Sequence, residues 1–265
     1  MEPIPPTPPA PPEPPAPSRV TLGLLLARAF QVWGRNLLAF AGVGLAFHVP
    51  VLLATWALGS PFVVGRSRLG TVTPEQQAFI GSGRYGALVA VSLIFALLQM
   101  GALTAGALSH LSGRRASVGE MILSALRRLG PLLVSNALAA VAILLGFLLL
   151  VVPGVVVTLM LLLIVPVAMA EPLPIKAMFG RSRALTKGHR WKLLGLTAVA
   201  YVVSGAPAIA VALFPVQVPY LATGLGLLIN VLPGTFILSV PAVAYHELRA
   251  AAEGAPIAAL ERVFE

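Results

Sequence analysis

Long uncharged runs separated by short basic segments set the pattern of this chain. The clearest run is Leu129 to Ala170, 42 residues whose only polar members beyond glycine and proline are Ser135, Asn136 and Thr158. At about 1.5 Å per residue, a straight helix of that length is roughly twice the ~30 Å hydrocarbon thickness of a bilayer. Pro153-Gly154 stands near its middle, and such a pair is suited to stop one helix and reverse the chain. The run is read as two membrane-spanning helices in a tight hairpin. A second uncharged run, Leu193 to Tyr245, covers 53 residues and accommodates two more, with Pro215, Gln217 and Pro219 at the turn. Leu37 to Leu58 and Tyr85 to His110 form a further pair, joined by the polar loop Ser60 to Arg84. Trp56, near the far end of its span, suits an interfacial anchor.

Shorter amphipathic segments precede each pair. In Thr21 to Asn36, the residues Leu25, Leu26, Ala29, Phe30 and Trp33 share one helical face, with Arg28 and Arg35 off it. Such a segment is too short and too charged to span, so it is expected in the headgroup plane. Met121, Ile122, Ala125, Leu126 and Leu129 repeat that stripe 96 residues later, behind the capping box Ser117-Val118-Gly119-Glu120. Thr21 with Ser117 and Gly34 with Gly130 match at the same offset, which predicts an internal repeat. A third segment, Pro174 to His189, is more basic: Lys176, Arg183 and Lys187 share one face and Met178 and Leu185 lie opposite. The expected architecture is all-α and polytopic, with six transmembrane helices in three hairpins, each preceded by an amphipathic interfacial helix. The units run over about 19–112, 113–171 and 172–249, between a proline-rich tail (1–18) and a short polar tail (250–265).

Composition agrees with a membrane class. Hydrophobic residues make up 58% and charged residues 10%, against roughly a quarter charged in soluble domains. Continuous apolar runs, rather than alternation, exclude a barrel. Ten of the 24 prolines fall in residues 1–18, a tail that favours extended polyproline II and reads as a spacer more readily than as a docking peptide.

The net charge of +9 is spread between apolar runs rather than gathered on one face, so it points to topology and not to nucleic acid. With the N-terminus inside, fifteen Lys and Arg fall on inner segments and three (Arg66, Arg68, Arg84) on outer loops. Both termini are expected in the cytoplasm.

Candidate chemistry is sparse. Cysteine is absent and all nine acids are Glu, so thiolate and Asp mechanisms are excluded. No metal-ligand cluster, cofactor motif or catalytic set stands out; Gly-x-Ser-x-Gly, His-Glu-x-x-His and a phosphate loop are all missing. The spans contain no Lys, Arg or Glu. His48, Gln99, Asn136 and Asn230 are the intramembrane polar groups, suited to tying helices together and, as a minority reading, to contacting a solute. Pro50 and Pro207, and the candidate helix breaks Pro153-Gly154, Pro166, Pro233-Gly234 and Pro241, suggest kinked packing, or transporter-like discontinuous helices. The basic stripe Lys176, Arg183 and Lys187, followed by Arg190, is a candidate contact for anionic headgroups.

Val-Val-Pro-Gly at 151–154, Ile-Val-Pro-Val-Ala-Met-Ala-Glu at 164–171 and Ala177-Met-Phe-Gly-Arg-Ser-Arg-Ala-Leu-Thr-Lys-Gly-His-Arg-Trp191 carry a resemblance. Together with Tyr245-His-Glu-Leu-Arg249 and Glu253-Gly254, this half of the chain is similar to the membrane domain of glycerophosphoryl diester phosphodiesterases and to related stand-alone bacterial membrane proteins. In the enzymes that carry this domain, catalysis belongs to a separate soluble barrel, so the resemblance implies membrane architecture and not activity. The expectation is a non-catalytic protein of the bacterial inner membrane, structural or accessory, that organises anionic lipid, a protein partner or further copies of itself. The alternative is a transporter-like bundle for a lipid or small solute.

Overall fold

The computed structural model describes residues 20–60, 73–213 and 219–253, and these form eleven helices without a strand. In chain order they are α1 (Leu22–Arg35), α2 (Leu37–Ala57), α3 (Pro74–Ile80), α4 (Gly83–Leu111), α5 (Val118–Arg127) and α6 (Leu129–Leu149). Then come α7 (Val151–Leu161), α8 (Ile164–Ala170), α9 (Ile175–Thr186), α10 (Arg190–Leu213) and α11 (Pro219–Glu253). The proline-rich tail, the stretch 61–72, the expected turn at Pro215 and Gln217, and the tail after Glu253 lie outside the described residues. Among the described residues, five segments are long and apolar enough to cross a membrane: α2, α4, α6, α7 with α8, and Val231–Glu253 of α11.

Local chemistry explains the element ends. Thr21 caps α1 by accepting from the Leu24 N–H at 3.2 Å. Ser117 and Glu120 close a reciprocal box at α5, with the Glu120 carboxylate accepting from the Ser117 N–H at 2.8 Å. A second box, Thr73 with Gln76, starts α3, with Pro74 in its first turn. The polar loop expected over Ser60 to Arg84 thus contains a helix, for which Thr73-Pro74-Glu75-Gln76 carries the same capping signal. The repeat keeps its 96-residue offset at the caps and at the buried pairs Leu25–Met121 and Ala29–Ala125. It then slips by about one turn: α5 has 10 residues where α1 has 14, so Gly34 lies inside α1 and Gly130 in the next helix.

The prolines act differently from their expected role as breaks. The reversal between α6 and α7 falls on Leu150, whose backbone is extended (φ −171°, ψ 161°), and Pro153-Gly154 lies within the first turns of α7. Proline fits there because a helix start leaves its donors unpaired in any case. Pro166 does accompany a break, one turn earlier at Leu162–Leu163, where its missing N–H leaves the ladder incomplete. Pro50, Pro207, Pro233 and Pro241 sit inside α2, α10 and α11, which run on through them; Gly234 does not interrupt α11 either.

The packed core gathers at one end. Buried positions fall in the first half of α2 (Phe40, Val43, Phe47) and of α6 (Leu132, Ser135, Ala139), and in the second half of α4 (Leu98 to Ala107). Around them pack α8 and the stretch of α11 from Val231 to Leu248. The short helices α1, α5 and α9 cover this end. Their apolar stripes pack in part on the bundle: Phe30 stacks on Phe236 at 4.6 Å, and Trp33 donates to the Thr235 hydroxyl at 3.0 Å, while Phe30 and Leu126 stay 42% and 48% exposed. At Gly106 a Cβ would stand 2.6 Å from the Met121 sulfur and 3.0 Å from Phe40, so α5 and α2 approach α4 closely there. Toward the opposite end Leu53, Trp56, Leu93, Leu144 and Leu148 are exposed. Contiguous apolar surface of this extent belongs in hydrocarbon.

Candidate functional site: a basic face beside a closed ion-pair cluster

Helix α9 divides its charges between two surroundings. Met178 and Leu185 are buried against α7, α8 and α11, and the Ser182 hydroxyl donates to the Met160 carbonyl at 2.7 Å. With that side fixed, Lys176, Arg183 and Lys187 are exposed. Arg190 follows at the start of α10, partly buried, with no hydrogen-bond partner for its Nε. It borders an apolar groove of about 340 Å³ lined by Val151, Val155, Leu159, Trp191 and Leu194 among others. Lys192, one turn in, is held by the Val20 carbonyl at 2.7 Å and is not free for a ligand.

Arg181 turns the other way. Its Nε donates to both oxygens of Glu171 (3.1 and 3.2 Å), and a terminal nitrogen donates to Glu253. The Tyr245 hydroxyl donates to Glu171 at 2.6 Å and accepts from Arg249 at 3.2 Å, while Arg249 also reaches Glu253 at 2.8 Å. Burial alone lowers the proton affinity of Arg181, but its hydrogen bonds to Glu253 and Glu171 outweigh that and hold it above the ordinary arginine value. Two carboxylates, two guanidiniums and a phenol thus close on one another and join the end of α8 to α9 and α11. Nearby, Arg28 faces Glu247 at 3.8 Å, tying α1 to α11.

Glu171 and Glu247 each follow a proline-containing apolar run, after Pro166 and Pro241 respectively. The structure gives them different partners. The signal for the cluster was present in Tyr245, Arg249 and Glu253, which recur every four residues along one helix face. All five lie within the segments 164–171, 177–191, 245–249 and 253–254.

Among the described residues, the polar groups expected in the spans are not bonded to one another. His48 Nδ1 bonds with the Gly44 carbonyl at 2.9 Å and Asn136 donates to the Leu132 carbonyl at 2.9 Å, each within its own helix. Gln99 is buried in α4 with no partner for its Nε2. The Asn230 side chain lies outside the described residues. Among the described residues, no three His or Glu side chains gather as a metal site would require. No family model, curated protein or solved structure matches the chain.

Proposed function

We propose that the chain is a multi-pass protein of a bacterial cytoplasmic membrane that performs no catalysis of its own. It organises anionic lipid, or a complex assembled on such lipid, at its cytoplasmic face. The observation that carries this reading is the sorting of charge on α9: Arg181 is neutralised by Glu171 and Glu253, whereas Lys176, Arg183 and Lys187 stay exposed. Exposed basic residues beside a membrane attract anionic headgroups by about 1 kcal/mol each.

In this reading the apolar helices enter the bilayer in three pairs, α2 with α4, α6 with α7–α8, and α10 with α11, and both termini are cytoplasmic, as the loop charges favour. The likeness to phosphodiesterase membrane domains fits an architectural role, since the motif residues are occupied with one another. Transport is favoured less, because His48 and Asn136 bond within their own helices rather than line a shared lumen.

The test is Lys176→Gln, Arg183→Gln and Lys187→Gln together, leaving Arg181, Arg190 and Lys192 in place. The triple variant should insert and fold as the parent does, yet lose phosphatidylglycerol or cardiolipin on gentle purification. Three such contacts are worth up to about 3 kcal/mol, roughly a hundredfold in lipid affinity at low salt. Unchanged anionic-lipid retention in the correctly inserted variant leaves the stripe as a topology signal only.

A further inference from the structure

We propose that the α6–α7 hairpin is re-entrant: it dips into the cytoplasmic leaflet and turns back near the middle of the bilayer. Its tip then meets acyl-chain ends, not water on the far side. This inference rests on the reading of α9 as a cytoplasmic basic face, and it replaces the expectation that both arms of this hairpin cross.

Depth is the first argument. Helix α9 packs along α8 and α7, and Ser182 reaches the Met160 carbonyl. Arg183 and Lys187, immediately beside and one turn beyond that contact, are exposed. Charged side-chain ends stay at headgroup level or in water, so the hydrocarbon begins near Met160. From there to the start of α7 at Val151 is about 13 Å of helix, less than half of a ~30 Å core. Arg190 and Trp191 border the groove formed with Val151 to Leu159. An Arg-Trp pair at the start of a span marks the interface, so a second element sets the headgroup level beside the same short stretch of α7.

The tip itself supplies an independent argument. Leu148, Leu149, Leu150, Val151 and Val152 are between 67% and 81% exposed, and no polar side chain occurs from Ala137 to Val157. A turn that emerged into water would present five consecutive large aliphatic side chains to it. Part of the turn's backbone is paired. The Leu150 N–H donates to the Gly146 carbonyl and the Gly154 N–H to the Leu150 carbonyl, both at 3.1 Å. The one-residue link adds no loop, and Pro153 brings no N–H to the start of α7. Each N–H paired or missing at the turn is one fewer to be satisfied in lipid. Gly146 and Gly154 let the arms close, since a Cβ on Gly146 would stand 3.1 Å from the Gly154 Cα.

The chain has no cysteine, so single-cysteine variants report one position each. Gln77→Cys should react with an impermeant maleimide from outside, and Ala184→Cys only from the cytoplasmic side. Leu150→Cys should react from neither side. A nitroxide attached there should show high oxygen and low nickel-complex accessibility, the signature of the bilayer centre. Leu150→Lys should cut the yield of inserted protein several-fold, while Gln77→Lys leaves it unchanged. Labelling of Leu150→Cys from outside, as readily as Gln77→Cys, overturns the inference. So does a fully inserted Leu150→Lys protein whose amine is modified from outside. Reversed labelling of Gln77→Cys and Ala184→Cys instead removes the cytoplasmic assignment of α9, while the nitroxide still reports the depth of the tip.

Discussion

At the scale of single residues, the polar side chains work mainly as terminators and clamps. The Ser117–Glu120 box is fully outside the core, and Glu120 is held below the usual carboxylate range chiefly by the Ser117 backbone N–H and then by its hydroxyl. A lowered carboxylate stabilises the folded form above its ordinary value of ~4.3 and loses that contribution as pH falls through the lowered value. The protection of α5 amides, taken relative to their intrinsic exchange rate at each pH, should therefore hold at neutral pH and fall as the sample is acidified below the ordinary carboxylate value. Ser117→Ala should weaken the helix start by about 1 kcal/mol, and should flatten that acid dependence because the reciprocal bond is no longer set. Both boxes are written in four consecutive residues. Long-range pairing is not. Lys176 and Arg183 could be assigned to one face from spacing alone, but the inward turn of Arg181 depends on Glu171 and on Glu253, 72 residues later.

Elements show where periodicity informs and where it stops. The apolar stripes of α1 and α5 were legible, as were their lengths to within a turn. What covers them was not, because a stripe reads alike whether it meets lipid or protein; Phe236 and Thr235, which cover Phe30 and Trp33, lie some two hundred residues away. Proline misled for a related reason. Its missing N–H is a defect in mid-helix but harmless in a first turn, and only the fold tells which position Pro153 occupies. The join between α8, α9 and α11 can be tested through Glu171→Gln and Arg181→Gln, singly and combined. With both side chains partly exposed (15% and 25%), each single change should cost about 1–2 kcal/mol, and the double variant clearly less than their sum. Thermal unfolding in detergent reads this coupling, and additive losses would show that the pair does not act as a unit.

Over the whole molecule, packing is unevenly shared. Core positions crowd the end where the three short helices lie, while the far ends of α2, α4 and α6 present leucine and valine outward. Leu132→Ala, at a fully buried site, should cost about 2–5 kcal/mol. Leu145→Ala, more than half exposed further along the same helix, should cost well under half as much, because the lost contacts there are with solvating chains. Comparable losses at both sites in a detergent melt would contradict an uneven core. Composition and charge made the membrane class legible. This unevenness was not, since the runs of Leu and Val are equally apolar at both ends of each helix.

The cluster around Glu171 also imposes an order on synthesis. Arg181 leaves the ribosome ten residues after Glu171, so these two can meet at once. Tyr245 and Glu253 follow only after some seventy more residues. At ~5–20 residues per second that is a delay on the order of ten seconds. In that interval α8 and α9 are joined by one ion pair, and Glu171 lacks the phenol that completes it. Only when the last helix has been made and has settled beside them does the join gain its remaining three members, so the arrival of α11 acts as the latch on everything translated before it.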